Sequence, residues 1–505
     1  MTSLLRRAAS WRRTLPAWPT QTAMAGSSGW TVLAFLLTAC SSPGATSPIP
    51  RTPWVRVEAA TNTPSSLSSP PASGAFYVSP NGDDAGPGTT TQPWRTLQHA
   101  ADRLDAGQTV YVRAGTYQES VTLTRSGAPT RPITFAAVPG QTVFLDGSKR
   151  SLDSGFQSDP NQPVSDIVIT GFTIQNFSSF GVVFWSVNDR IALTDLIILD
   201  NGASGIRFSN SDGSRVQRVS LRGNEGGFDC TPILPGAQSD PGCTHLYLAD
   251  VQALDNGRQG DTGTDQFAVE RGADILVERC VASGGVGDGF DFKSDRTTLR
   301  QVVAHDTRNN IKLWGKASVL ASALAYDARA DANLVLAAGG SYTVINATIA
   351  NMAGTAYLAV AGDTSGSGPT PVLIVNTIFY NDNPANEGTL LYFGPEVVGL
   401  VFSNNLFFNP FRTDALLCAD FAPFGGQCWS DSDINAGAWG ASNRSADPRF
   451  ADAPGKDFTL RLDSPAVNQG TGMEGVLNEL LGCVPSVPPN IGWLGSGECS
   501  QIGPQ

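Results

Sequence analysis

Three aspartates and one lysine recur at intervals that could bring their side chains together. Asp265 and Asp288 are 23 residues apart, Asp291 follows three residues later, and Lys312 comes 21 residues after Asp291. Carboxylates that lie close together repel and raise one another's pKa unless a cation lies among them. Ca²⁺ takes about six to eight oxygen ligands, commonly from carboxylates, carbonyls and water. The spacing therefore predicts a Ca²⁺ site at the three aspartates, provided that the chain winds with a matching period.

A repeat with that period begins at about residue 164. Its unit is a short apolar strand, an Asn or Asp near a turn, a Gly and another short strand. Apart from one long insertion, the middle residues of successive strands are 21 to 23 residues apart: Arg207, Asp229, Ala268, Asp291, Lys312 and Val335. Short strands at such a period, with no helices between them, are typical of a parallel β-helix, whose coils bury their apolar faces by stacking.

Alternation along each strand predicts which side chains face outward. Phe290 and Phe292 should point into the core and Asp291 outward. Lys312 should follow Asp291 on the same outer column, one coil later and about 4.8 Å away. Asparagines that recur near the turns are interpreted as structural ladders: Asn201, Asn224 and Asn256.

Composition and period divide the chain into five segments. Residues 1–39 are predicted to be a lipoprotein signal peptide, and residues 40–73, rich in Ser and Pro, a disordered tether. Residues 74–163 are predicted to form an N-terminal cap with a short capping helix, followed by the first coils. Residues 164–410 are predicted to be the β-helix and residues 411–505 an irregular C-terminal cap with disulfide loops. The expected fold class is all-β, a single-stranded right-handed parallel β-helix (solenoid).

The first residues indicate export. An apolar run from Trp30 to Leu37 follows several arginines and is too short to span a bilayer as a mature helix. The next residues, Leu-Thr-Ala-Cys, resemble the lipobox of bacterial lipoproteins, which implies cleavage before Cys40 and a diacylglycerol on its thiol. Ordinary secretion with an incidental cysteine is the alternative, and translation starts at Met1 or Met24. The expected location is extracytoplasmic, either lipid-anchored at a bacterial cell surface or secreted, with membrane contact only through the lipid.

Six cysteines form pairs that are close in sequence, and short loops in an exported protein favour disulfides. The predicted pairs are Cys230 with Cys243, Cys418 with Cys428, and Cys483 with Cys499. Cys280 lies in an apolar alternation and is predicted to be a buried free thiol.

The formal charge is strongly negative. It is -12 for the whole chain, and removing four arginines with the first 39 residues leaves -12 - 4 = -16. Such a surface repels nucleic acid and anionic lipid, so we expect no nucleic-acid partner. It also repels an acidic polysaccharide unless a bound cation bridges the two. The chain is expected to be a monomer.

The segment Asp288-Gly289-Phe290-Asp291, followed by 310–315, resembles the core of the family 9 pectate lyases. In that family an Asp-Gly-Trp-Asp type motif binds Ca²⁺ together with an Asp one coil earlier, and a Lys in a Gly-Phe-Lys-Leu-Gly type motif is the base. The resemblance implies that Asp265, Asp288 and Asp291 are Ca²⁺ ligands and that Lys312 is the Brønsted base. Two features depart from the family pattern. Gly287 stands where the family usually has a further Asp, and the link from the motif to the lysine is shorter.

The activity implied by this resemblance is β-elimination on an acidic, uronate-containing polysaccharide. Ca²⁺ would bind the sugar carboxylate and acidify the adjacent C5 proton, which the lysine would remove. An ordinary lysine amine has a pKa near 10.4, so a lysine base needs nearby cations, burial or an alkaline medium. Arg207 and Arg329 are candidate helpers and substrate ligands, and Trp314 is a candidate for stacking on a sugar ring.

Two other functions remain open, because a fold does not decide function. The first is a non-catalytic surface protein that binds glycans or mediates adhesion, which Gly287 favours. The second is a glycoside hydrolase or epimerase on the same fold. A hydrolase needs two carboxylates at a defined separation, and Asp229 and Asp291 are the candidate pair.

Overall fold

Parallel strands follow one another along the computed structural model of this chain. It describes residues 75–501 except for 149–151, 233–240, 258–263, 353–356, 364–365, 387, 438, 440–441, 472–482, 486–488 and 494–498. Among the described residues, 37 strands form one continuous hydrogen-bonded assembly, and each coil of the chain adds strands to as many as three stacks. The predicted signal peptide, the tether and Cys40 lie outside the described residues.

The first stack is here called the front sheet. Its strands pair in parallel from one coil to the next, as far as Leu417–Ala419. Its strands are Val121–Leu123, Phe156–Ser158, Val182–Val187, Ser204–Asp212, Gly226–Cys230, Phe267–Val269, Phe290–Phe292, Ile311–Leu313, Leu334–Ala337, Ala359–Asp363, Leu391–Phe393 and Leu417–Ala419, followed by antiparallel Gln427–Trp429.

Two further stacks close each coil. The second consists of Ala75–Val78, Thr109–Val112, Ile133–Ala137, Ile167–Thr170, Ala192–Leu199, Arg215–Arg222, Tyr247–Leu254, Gly272–Glu278, Asp295–Arg300, Ser318–Ala321, Tyr342–Ile345, Thr370–Val375 and Val397–Ser403. The third consists of Gly115–Tyr117, Val143–Asp146, Phe172–Gln175, Val281–Ser283, Val303–His305, Leu324–Ala328, Thr348–Met352, Ile378–Tyr380, Leu406–Phe408 and Arg444–Ser445. Between Phe172–Gln175 and Val281–Ser283, this stack is continued by the long strands of the second.

Short helices and hairpins complete the described part of the chain. The helices are Leu97–Ala101, which buries Leu97, Ala100 and Ala101, and Asp431–Asn435. Of the remaining strands, Cys243–Thr244 pairs parallel with Ser204–Asp212 and Gly272–Glu278. The others pair antiparallel, Phe450–Asp452 with Asp457–Leu460 and Cys483–Pro485 with Cys499–Gln501. The predicted all-β parallel coil is therefore what the chain forms, and its stacking continues past residue 410.

Two of the three expected disulfides are present. Cys230 is bonded to Cys243 and Cys418 to Cys428, and Cys280 is a buried free thiol as predicted. Burial raises the pKa of the Cys280 thiol to about 12, so it is not a nucleophile at neutral pH. The side chains of Cys483 and Cys499 lie outside the described set, and their pairing stays a prediction.

Buried asparagines form the predicted ladder. The backbone and side-chain amides of Asn201 donate to Asn224 Oδ1 at 3.1 and 2.8 Å. Asn224 in turn donates to Asn256 Oδ1 at 3.1 and 3.0 Å. All three side chains are fully or almost fully buried, so each unmade bond would leave a desolvated polar group.

Replacing Asn224 with alanine should lower the free energy of unfolding by about 1–3 kcal/mol, because the amides of Asn201 would lose their buried acceptor. Chemical denaturation followed by circular dichroism measures the change. Asn161→Ala, at an exposed position, is the matched control and should change stability by less than about 0.5 kcal/mol. Equal effects of the two substitutions would contradict a structural ladder.

Candidate active site

One outward column of the front sheet carries the predicted chemistry. Direct register partners follow one another coil by coil: Arg207, Asp229, Ala268, Asp291, Lys312 and Val335. Asp291 and Lys312 are therefore immediate neighbours, at the spacing of adjacent parallel strands of about 4.8 Å. This is the column that the 21- to 23-residue spacing predicts.

The core holds this column in place. Phe290 and Phe292 flank Asp291 on its strand and are completely buried. The ring of Phe290 stacks on that of Phe267 in the preceding coil, with centroids 4.8 Å apart. A slip of one residue would expose both Phe290 and Phe292, so the burial of these rings fixes the outward direction of Asp291.

The structure brings Asp265 and Asp288 into direct contact. The backbone N–H of Asp288 donates to Asp265 Oδ1 at 2.7 Å. Burial, together with the charges of Asp288 and Asp291, raises the pKa of Asp265 to about 7. Burial also raises the pKa of Asp288, although the backbone and side chain of Asn309 donate to its Oδ1 at 3.1 and 2.9 Å. These carboxylates form a desolvated acidic cluster.

Asp291 belongs to the same cluster but has partners of its own. Trp314 Nε1 donates to Asp291 Oδ1 at 2.6 Å, and Lys293 Nζ lies 3.3 Å from Asp291 Oδ2. Burial raises the pKa of Asp291 and outweighs the opposing effect of the Lys293 ammonium. Both oxygens of the Asp291 carboxylate therefore have a protein partner. A carboxylate that binds a metal ion would instead have an oxygen free to coordinate it.

Lys293 and Glu270 are site residues that the sequence analysis missed. Lys293 Nζ lies 2.6 and 2.7 Å from the two carboxylate oxygens of Glu270. Burial alone would lower the pKa of Lys293, but Asp291 and Glu270 outweigh it and the pKa is raised. Strand alternation contained the signal, since Lys293 lies two residues beyond Asp291 and Glu270 two beyond Ala268 on the same outer face.

Lys312 lies over an aromatic ring at the edge of the acidic cluster. Its Nζ is 4.4 Å from the centroid of the Trp314 ring, and it interacts electrostatically with both Asp288 and Asp291. The side chain is only partly buried. Its amine is thus accessible from the outer face and is held in place by a cation–π contact.

The two arginines of the sequence hypothesis lie elsewhere. Arg207 is four coils before Lys312, roughly 19 Å away at the spacing of parallel strands, and its Nη1 is 3.1 Å from Asp229 Oδ2. Arg329 is exposed, and its guanidinium donates to the carbonyl of Gly285. Their contacts are thus with Asp229, Phe180 and Gly285, and their predicted role as helpers of the base stays a prediction.

Backbone packing explains why position 287 is a glycine. A Cβ atom on Gly287 would lie 2.2 Å from the carbonyl oxygen of Thr264 and 2.7 Å from Asp265 Oδ1. The fourth carboxylate of the family pattern would therefore require this segment to move.

A Ca²⁺ ion suits part of this acidic cluster. Oxygen donors, burial and raised pKa values at Asp265 and Asp288 are what an uncompensated cation site should show. Asp291 is occupied by Lys293 and Trp314, and among the described residues no three acidic, His or Cys side chains are arranged to hold a metal ion.

A cavity of about 700 Å³ adjoins the acidic cluster on its N-terminal side. Its lining includes Phe180, Arg207, Asp229, Thr231, Asp265 and Glu270. Asp265 belongs to both the cavity and the cluster, so the cavity is continuous with the candidate site.

Comparisons with known proteins agree with this architecture. The family model described as Pel9A-like, right handed beta helix region matches residues 76–319. Over 222 residues, 43% of this chain and 49% of its relative, the chain is 28% identical to pectate lyase PEL9 of Emericella nidulans. Over 152 residues, 28% of this chain and 30% of its relative, it is 34% identical to the uncharacterized protein YwoF of Bacillus subtilis. The matches thus span between about a third and a half of these curated relatives.

Solved structures extend the comparison of the fold. The crystal structure of pectate lyase Pel9A superposes with a TM-score of 0.51 and 13% identity, over 85% of this chain and 96% of that one. These comparisons confirm the right-handed parallel β-helix and the resemblance to family 9 pectate lyases. No helix in the described part of the chain is long and apolar enough to cross a bilayer.

Proposed function

We propose, from the premise that residues 76–319 are a Pel9A-like right-handed β-helix region, that this protein is an extracytoplasmic polysaccharide lyase. Its substrate class is an acidic, uronate-containing polysaccharide. The observation that carries the proposal is the placement of Lys312 directly after Asp291 on the outer column, beside the buried carboxylates of Asp265 and Asp288. A lysine at the edge of such a cluster is positioned to act on an anionic sugar that a cation holds there.

In this proposal Asp265 and Asp288 would hold Ca²⁺, and Asp291 lies beside them with Lys293 and Trp314 as its partners. When bound, the ion would bind the sugar carboxylate and make the adjacent C5–H more acidic. A negatively charged protein could then bind an acidic polymer, because the cation would lie between the protein carboxylates and the sugar carboxylate. The fit is best at Asp265 and Asp288, where burial raises the pKa of both carboxyl groups, whereas Asp291 has Lys293 Nζ 3.3 Å from its Oδ2.

Lys312 acts as the base in this proposal. As a free amine it takes the C5 proton, the electrons of the C5–H bond form the C4–C5 double bond, and the C4–O bond breaks. The leaving oxygen takes a proton from solvent. Trp314 positions the lysine, because its ring packs under Nζ while its indole N–H is held by Asp291.

An exported location agrees with the chemistry of the chain. Two disulfides are characteristic of oxidising compartments, and a polymer substrate has to be reached outside the cytoplasm. The lipid anchor at Cys40 is part of the proposal, and its test is metabolic labelling with a fatty acid in cells that express the wild type or Cys40→Ala.

The activity is tested by incubating residues 74–505 with polygalacturonate, alginate and chondroitin, each with Ca²⁺ and with chelator. The expected result is ultraviolet absorbance from an unsaturated product that forms with Ca²⁺ and not with chelator. New reducing ends without this absorbance would indicate a hydrolase that uses Asp229 and Asp291. No product from any uronate polymer would favour a glycan-binding surface protein.

A further inference from the structure

The cavity beside the acidic cluster is a formed compartment. Its volume of about 700 Å³ falls within the range of about 300–1,000 Å³ that is usual for small-molecule sites. Arg207 and Asp229 stand on the same outer column as Lys312. A polymer that runs along this column would therefore place neighbouring sugar residues in the cavity.

One wall of the cavity is anchored covalently. Thr231 and Pro232 line it and directly follow Cys230, which is bonded to Cys243. The hydroxyl of Thr231 also donates to Asp229 Oδ1. This wall is thus fixed both to the front sheet and to the strand Cys243–Thr244, which gives the cavity a defined shape.

The charged side chains of the cavity are mostly acidic and only partly paired. Arg207 lies 3.1 Å from Asp229, its buried Nε has no hydrogen-bond partner among the described residues, and Glu270 binds Lys293, which lies outside the lining. The lining has four acidic and two basic side chains, with Glu225 and Asp265 completing the acidic set. A sugar carboxylate in this cavity would face more acidic than basic side chains, which is unfavourable.

A neutral sugar suits the same surface. Its hydroxyl groups can donate to the carboxylates and accept from the guanidinium of Arg207, so that the existing ion pair is kept. Phe180 provides a flat apolar face, and its ring already lies 5.7 Å from the guanidinium carbon of Arg207. An aromatic face beside a paired arginine and carboxylate combines ring packing with hydrogen bonding.

We propose that this cavity is a subsite for a neutral sugar residue, so that the substrate is a heteropolysaccharide in which uronates alternate with neutral sugars. The inference rests on the proposed function for the assignment of a uronate to the acidic cluster. The occupancy of the cavity itself does not require that Lys312 be a base. A polymer composed only of uronates could place one uronate beside Lys312, but its neighbouring uronate would bind the cavity poorly.

The test is calorimetric titration of residues 74–505 carrying Lys312→Ala, which prevents turnover of the ligand. The two probes are a hexasaccharide of alternating galacturonate and rhamnose and the hexamer of galacturonate. We expect the alternating hexasaccharide to bind at least about tenfold more tightly. Phe180→Ala should weaken it about tenfold, whereas Phe411→Ala, at an exposed phenylalanine, should not.

A second variant reverses the preference. Thr231→Lys places an ammonium beside Asp229 and releases Arg207 for a carboxylate, so the galacturonate hexamer should bind about tenfold more tightly than before. Equal binding of the two probes, or insensitivity of both to Phe180→Ala in a variant with an unchanged melting temperature, would overturn the subsite. If the subsite binds as expected but wild type cleaves neither the uronate polymers nor the alternating hexasaccharide, the proposed lyase function is wrong and the subsite stands.

Discussion

Replacing Lys312 with alanine should lower kcat on a cleavable uronate polymer by roughly 10²–10⁴-fold, the range typical of a lost general base. Lys312 lies one coil after Asp291 and packs against Trp314 at 4.4 Å. The loss should fall on kcat rather than KM, because the proton is transferred only in the transition state. Absorbance of the unsaturated product under saturating substrate measures it.

Lys316→Ala is the matched control. Lys316 follows Lys312 by four residues, is exposed, and lies in the turn after the strand Ile311–Leu313. Its removal changes the net charge by the same amount and should leave kcat within about twofold. If both substitutions reduce activity equally, the effect is one of overall charge and Lys312 is not the base.

The outer column could be predicted from the sequence because two periods agree. The 21- to 23-residue spacing sets which residues are in register, and the two-residue alternation sets which of them face outward. At Asp291 and Lys312 both periods are uninterrupted, with Phe290, Phe292, Ile311 and Leu313 as apolar flanks. Register there follows from burial, since any slip exposes aromatic or aliphatic side chains.

The partners within the site could not be predicted in the same way. The contacts of Asp291 with Lys293 and Trp314 depend on rotamers of long side chains, which periodicity does not determine. The same holds for Arg329, which is near Lys312 in sequence but bonds to Gly285. The cavity depends in part on Thr231 and Pro232, which directly follow the disulfide-bonded Cys230 and lie outside the repeat.

Lys293 offers a physical reason for the departure at Gly287. An ammonium group bound to Glu270 and Asp291 already supplies one positive charge to the carboxylates. Because the Lys293 ammonium offsets part of the negative charge of the carboxylates, less positive charge is needed from a bound ion. A site with a fourth aspartate would need more. The close packing of Gly287 against Thr264 and the presence of Lys293 are thus consistent parts of one arrangement.

In chelator at pH 8, Asp265→Asn should be more stable than the wild type, by on the order of a few kcal/mol. Burial and the neighbouring carboxylates raise the pKa of Asp265 from 3.8 to about 7 in the folded chain. A raised carboxyl pKa means that the folded state binds this proton more tightly than the unfolded state, so stability is lost as pH rises from about 4 to about 7. Each pKa unit corresponds to about 1.4 kcal/mol.

Asparagine avoids this cost because it does not ionise, and it keeps an oxygen to accept the N–H of Asp288. The advantage of the variant should therefore vanish near pH 4. Urea denaturation from pH 4 to pH 8 measures it. Asp195→Asn, which removes an exposed ion pair with Arg218, is the control and should change stability by no more than about 1 kcal/mol.

Ca²⁺ should reduce the stability difference between the two proteins. Wild type should gain about 2.7 kcal/mol at a Ca²⁺ concentration of 100 times Kd, whereas the variant, lacking one carboxylate, should gain much less. An Asp265→Asn protein that is less stable than wild type in chelator at pH 8 would show that the acidic cluster is not under electrostatic strain. The physical case for a cation at Asp265 and Asp288 would then fail, independently of any measurement of activity.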